Sequence, residues 1–333
     1  MPAVPNTTAS TSRSASTNQP IRTMVTPLHA DWRASRFAPI MVRMDGRDAS
    51  GNGLKLVQVD PAGTANPHEI AFEAFGLHLG VSATPPDVLE HVRPFLPPGW
   101  KACSPAAVKR RFAITADGIG TYEFWSDGRL QNQRLGLELA VMLLDTELRL
   151  YIARKAPNAI FIHAGVVAHR GKAIVIPGMS FSGKTTLVAA LVREGATYYS
   201  DEFAVLGNDG LVHPYPKLLS IRDENRLQVE HGVDSLGGVA GDGPLPLGAI
   251  LVTSYKPGAE WQPERVSGGE GAMALLANAV PARERPAEVM RAISQCAEGA
   301  AVIRSDRGDA EDVAHWLLAE LDGEFAARSA SRG

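Results

Sequence analysis

Two hydrophobic rhythms alternate along the chain between residues 136 and 321. Gly136 to Arg154 sets Leu137, Ala140, Val141, Leu144 and Leu148 at i, i+3, i+4 spacing, which predicts a long helix with one apolar face. Ile160–His163 and Gly165–His169 are short apolar runs that predict two strands, and Ala173–Pro177 predicts a buried one. Thr186–Arg193 returns to helical spacing through Leu187, Val188 and Leu191, and the β-prone run Thr197–Ser200 follows. The order is therefore strand, turn, strand, glycine-rich loop, helix, strand. Further on, Leu247–Thr253 predicts another buried strand, while 267–297 and 309–321 carry helical spacing.

Outside this core the pattern weakens. Residues 1–20 are Ser-, Thr-, Ala- and Asn-rich with few large apolar side chains, a composition expected to stay disordered. Between Pro39 and Trp125, short runs such as Leu54–Val59 and Gly120–Trp125 alternate with Pro- and Gly-containing turns. The expected organisation is a tail at 1–20, a small N-terminal α+β domain at 21–135, a connecting helix at 136–156, a second domain at 157–325 and a tail at 326–333. Gly232–Gly248 holds six glycines and two prolines, and is expected to be a mobile loop, a lid if it lies near a ligand.

Composition narrows the function classes. The net charge is −3 over 333 residues and the Lys and Arg are scattered, so the basic footprint of a nucleic-acid binder is missing. The longest apolar run, Leu137–Leu150, is broken by Asp145, Glu147 and Arg149, which argues against a membrane span. Cys103 and Cys296 lack metal-ligand spacing, and no secretory apolar segment opens the sequence; a reduced, cytoplasmic protein is expected.

The chemistry concentrates at Gly178-Met-Ser-Phe-Ser-Gly183-Lys184-Thr185, which fits G-x-x-x-x-G-K-[ST] between a predicted strand and a predicted helix. Such a loop turns backbone N–H groups inward, and the helix N-terminus adds partial positive charge, so a triphosphate is the natural guest. Gly178, Ser180, Ser182, Gly183, Lys184, Thr185 and Thr186 are the expected ATP contacts, with Lys184 on the β and γ phosphates and Thr185 on Mg²⁺. Asp201 and Glu202 end the next β-prone run, where a carboxylate can hold the metal and another can accept the nucleophile's proton. His163 closes an apolar run and is read either as a hydrogen-bonded structural residue or as an acid–base group.

Taken together, His163-Ala-Gly-Val-Val-Ala-His-Arg-Gly171, Ile174-Val-Ile-Pro-Gly178, the glycine-rich loop, Arg193-Glu-Gly195 and Ser200-Asp201-Glu202 resemble the HPr serine kinase/phosphorylase family. The resemblance implies an α/β fold, an HPr-kinase/PEP-carboxykinase-like P-loop core, beside the small N-terminal α+β domain. It also implies that His163 lines the active site with Lys184, that Asp201 is the catalytic acid–base residue and that Glu202 is its metal-side partner. Homo-oligomers are implied too. Glu202 stands where the family has aspartate, Thr185 where serine is common, and the Glu-Val-Arg-Gly-Leu-Gly signature is absent. In its place His213-Pro-Tyr-Pro-Lys217-Leu-Leu-Ser-Ile-Arg222 is similar to a segment of divergent relatives that include kinases of lasso-peptide precursors. Lys217 and Arg222 are either contacts to phosphate or acidic substrate, or charges on an exposed strand. The implied activity is transfer of the ATP γ-phosphate to a serine hydroxyl of a peptide or protein. A kinase of a free hydroxylated small molecule and a non-catalytic ATP-dependent regulator are the alternatives.

Overall fold

The computed structural model describes residues 68–179, 182–222 and 228–330, excepting the side chains at 220–222, 228–230 and 324–330. All of them fall in a single compact unit. The tail at 1–20, the stretch from 21 to 67 with its Leu54–Val59 run, Ser180, and the side chain of Arg222 lie outside the described residues.

The described chain is mixed α/β. It opens with β1 (Glu69–Ala74), β2 (Leu77–Thr84), a short α1 (Val88–Val92), β3 (Lys101–Ala102), β4 (Arg110–Ala116), β5 (Tyr122–Ser126) and β6 (Arg129–Leu135). These strands form a six-stranded sheet in the order β3-β1-β2-β4-β5-β6, antiparallel except for the β2–β4 pair. The long helix α2 (Leu137–Lys155) follows, and its Ala140, Val141, Leu144 and Leu148 are buried as the i, i+3, i+4 spacing requires.

Next come β7 (Ala159–His169), β8 (Lys172–Pro177), α3 (Lys184–Arg193), β9 (Thr197–Ser200), β10 (Phe203–Gly207), β11 (Val212–His213), β12 (Leu219–Arg222) and β13 (Gln228–His231). The chain continues with β14 (Leu247–Tyr255), β15 (Glu264–Arg265), α4 (Gly268–Ala277), α5 (Pro286–Cys296), β16 (Ala301–Arg307) and α6 (Ala310–Ala330). Here an eight-stranded sheet has the order β11-β10-β7-β8-β14-β16-β15, with β9 also paired to β7, while β12 and β13 form a separate ribbon. The β8–β14 and β14–β16 pairs are parallel. Helices α3 and α6 cover one face of this sheet through Leu187, Leu191, Val313 and Leu317, and α4 and α5 cover the other through Leu275, Val289 and Ile293. With both faces buried, the central strands read as continuous apolar runs rather than alternating ones. No helix among the described residues is long and apolar enough to cross a membrane.

The runs Ile160–His163 and Gly165–His169 are one eleven-residue strand, not two. Gly165 does not break it, because a glycine in a strand interior also serves where another element approaches closely. Gly232–Gly248 is pinned rather than free. Tyr198 exchanges backbone hydrogen bonds with Val239 and Gly241, Val212 pairs with Leu245 in both directions, and the Tyr199 hydroxyl donates to Gly243 O at 2.7 Å.

Candidate functional site

The alternation of β7 decides which side chains can meet. Ile160, Ile162, Ala164, Val166 and Ala168 enter the core on the α4/α5 face, so His163, Gly165 and Val167 point to the face carrying α3. A Cβ at Gly165 would lie 2.6 Å from Val188 Cγ2 on α3, so glycine at that position lets the helix seat against the strand. The backbone of His163 then fixes the start of the loop, accepting from Gly178 N at 3.1 Å.

The loop turns into α3 at Gly183, whose φ of +81° is left-handed and unfavourable for any residue with a Cβ. Ser182 N donates to Met179 O at 3.3 Å and Lys184 Nζ donates to the same carbonyl at 2.6 Å, so the lysine folds back across the loop. Burial lowers the Lys184 ammonium to about 8, with the Asp201 carboxylate opposing that fall. Thr186, one step along α3, is exposed.

The connection β8–α3–β9 returns to the sheet on the far side of β7, with β9 running parallel to β8. Strands β9 and β10 occupy successive lengths of the same edge of β7, and Asp201-Glu202 forms the bend between them. Buried Ser200 holds that bend, its Oγ accepting from Glu202 N at 3.1 Å and Phe203 N at 2.9 Å. The bend delivers Asp201 to the first turn of α3. Thr185 Oγ1 donates to Asp201 Oδ2 at 3.0 Å, and Tyr198 OH lies 3.1 Å from Asp201 Oδ1 and 2.9 Å from Lys217 O. Burial and the Asp201 charge push the Tyr198 phenol above its usual range, so it stays a proton donor to those oxygens.

Glu202 turns the other way. Arg149 on α2 pairs with both Glu202 and Asp145, the latter at 2.9 Å, and Lys217 Nζ lies 3.1 Å from Asp145 Oδ1 and 4.0 Å from Glu202 Oε2. Two acids and two bases thus make a half-buried, charge-balanced group one residue from Asp201. Burial, with the nearby positive charges of Lys184 and Arg149, lowers His163 to about 4, so the imidazole is neutral at neutral pH. Its ring lies 5.0 Å from that of Phe203.

The fold therefore brings Gly178, Ser182, Gly183, Lys184, Thr185, Asp201 and His163 to one end of the sheet, and directs Glu202 and Lys217 to each other through Asp145 and Arg149. Arg149, Asp145, Tyr198 and Arg307 are absent from the sequence-derived set. A charge pair at i, i+4 inside the apolar stripe of α2 was the available signal for Asp145 and Arg149. Among the described residues no three His, Cys, Asp or Glu side chains converge as a ready metal cage. A cleft of about 590 Å³ opens at the ends of β14 and β16, lined by Ser254, Glu260, Glu264, Arg304 and Asp306 among others. Its mostly acidic lining suits phosphate poorly. Neither the protein-family models nor the curated proteins give a match to this chain.

Proposed function

We propose that the chain is an ATP-dependent kinase of the HPr-kinase-like type, with that family's P-loop core, transferring the γ-phosphate to a serine hydroxyl of a peptide or protein. The supporting observation is the 3.0 Å hydrogen bond from Thr185 to Asp201. It joins the first turn of the loop helix to the carboxylate at the end of a parallel strand one position removed, the arrangement that phosphate-loop phosphotransfer needs. The His213–Arg222 segment suggests precursor peptides of the lasso type as acceptors, and two free cysteines suit a reducing cytoplasm.

The donor set fits a polyphosphate with a hard divalent cation. The Thr185 hydroxyl and Asp201 carboxylate supply the oxygens such an ion prefers, and Lys184 supplies a cation at the loop. When bound, Mg²⁺ neutralises phosphate charge as it shifts during transfer. Lys184 stays protonated at neutral pH and holds the phosphates as a point charge. Asp201 accepts the serine proton as the serine oxygen bonds to the γ-phosphorus; the bond to the bridging oxygen breaks and ADP leaves with that electron pair. Tyr198 holds the second oxygen of Asp201 in place. His163, neutral, contributes a hydrogen-bonding wall without a charge that would compete for the phosphates.

The test is transfer of label from γ-labelled ATP with Mg²⁺ to a panel of serine-ended precursor peptides, HPr and free serine, wild type against Lys184→Ala. Label on a peptide or protein that vanishes in the variant is expected. Label only on free serine would make the enzyme a small-molecule kinase, and release of free phosphate alone would favour the regulator.

A further inference from the structure

Arg307 ends β16 and is only 2 % exposed, yet no ion pair among the described residues involves it. Its Nη2 donates to Gly183 O at 2.6 Å, its Nη1 to Gly308 O at 3.3 Å, and its Nε is buried with no hydrogen-bond partner among the described residues. The Tyr255 ring centre lies 5.6 Å from the guanidinium carbon. Glu311, whose negative charge is felt at this site, stands off beyond ion-pair distance, half shared with Arg193 at 3.9 Å. The guanidinium also sits at the N-terminal end of α3, where the helix field is itself positive. A buried cation with two carbonyls and a ring for company is poorly compensated, and burial lowers its hold on a proton.

The contact is specific. A Cβ at Gly183 would lie 2.4 Å from Arg307 Nη2, so the loop glycine and the arginine are fitted to each other. The Gly183 carbonyl is already satisfied as the first helical acceptor, by Leu187 N at 3.2 Å, so the loop does not need Arg307 to complete its hydrogen bonding.

We propose that Arg307 is the internal counter-charge for an anion at the Gly183 turn into α3: a positioning residue whose charge, without a carboxylate partner among the described residues, is balanced by the phosphates of a bound polyphosphate. The inference rests on the phosphate-binding reading above and adds to it a residue 124 positions from the loop. The protein thereby keeps a positive charge that a ligand neutralises, and selects for highly charged anions such as a triphosphate over a monophosphate.

The experiment measures binding of inorganic pyrophosphate and of ATP by calorimetry, and melting temperature with and without pyrophosphate, for wild type, Lys184→Ala, Arg307→Met and Arg307→Lys. Arg307→Met is expected to melt no lower than wild type without ligand, to lose most of the pyrophosphate-induced rise, and to bind pyrophosphate at least about tenfold more weakly. Arg307→Lys, which keeps the charge, is expected to recover a large part of that affinity. Wild-type affinity in the Met variant would overturn the proposal. So would a Met variant that fails to fold, because that would make Arg307 a structural brace, and so would a Lys variant as weak as Met. Wild type that binds neither ligand would instead overturn the phosphate-site reading itself.

Discussion

Lys184 feels two opposed influences, the burial that lowers its ammonium to about 8 and the Asp201 charge that holds it up. Phosphates beside it would favour the charged form and raise it further. Ligand binding at pH 8.5 is therefore expected to take up protons, seen as a buffer-dependent enthalpy in calorimetry. Affinity should fall as pH rises above about 8, approaching about tenfold per pH unit. Binding heats independent of the buffer would place the phosphates away from Lys184. His163 runs the other way. Its folded value of about 4 lies below the unfolded 6.5, so the unfolded chain binds the proton first as pH drops. The neutral imidazole's stability is complete above about 6.5 and is lost as pH falls toward 4, by at most about 3 kcal/mol. His163→Asn should flatten that segment of a urea-melt pH profile; an unchanged slope would assign it to other groups. At this scale the linear motif and Asp201 were legible because they sit close along the chain. Arg149, paired with Glu202 across 53 positions, and Arg307, across 124, were not, since only the folded sheet brings their ends together.

Among the elements, the fit of α3 against β7 controls the site, because the helix carries Lys184 and Thr185 and the strand carries His163. Gly165→Ala would put a methyl group 2.6 Å from Val188 Cγ2, a stiff β-branched neighbour that cannot swing clear. The variant is expected to lose about 1–3 kcal/mol of stability and to weaken nucleotide binding by lifting the helix. Pairing it with Val188→Ala should restore much of the loss, and a double-mutant cycle in chemical denaturation measures the coupling; simple additivity would refute the contact. The helix, the β8 strand and β9 were readable from period and order, since each is a local pattern. The misread segments share a cause. Gly165 looks like a break, and Gly232–Gly248 like a free loop, when sequence alone cannot reveal that a helix packs over the first and that Tyr198, Tyr199 and Val212 bond the second.

Among the described residues, one apolar cluster runs from Phe72, Phe112 and Phe124 of the first sheet through Leu144, Leu148 and Ile152 of α2 to Phe161 and Phe203 of the second and to Tyr215 just beyond β11. Leu148 is fully buried at its centre, next to Arg149 of the charged group. Leu148→Ala is expected to cost about 2–5 kcal/mol and, by native-state hydrogen exchange, to lower protection of β4 and β8 amides together. Loss confined to one sheet would show that the halves unfold separately. The alternation of helical and strand periods announced an α/β chain, but the pairing order of the sheets depends on long-range contacts that periodicity does not encode. The proposed nucleotide chemistry centres on the Thr185–Asp201 junction. Its most direct test is Asp201→Asn in a single-turnover experiment with labelled ATP and an acceptor that wild type phosphorylates. ATP is expected still to bind while transfer falls by at least about a hundredfold. Transfer at the wild-type rate would contradict that chemistry.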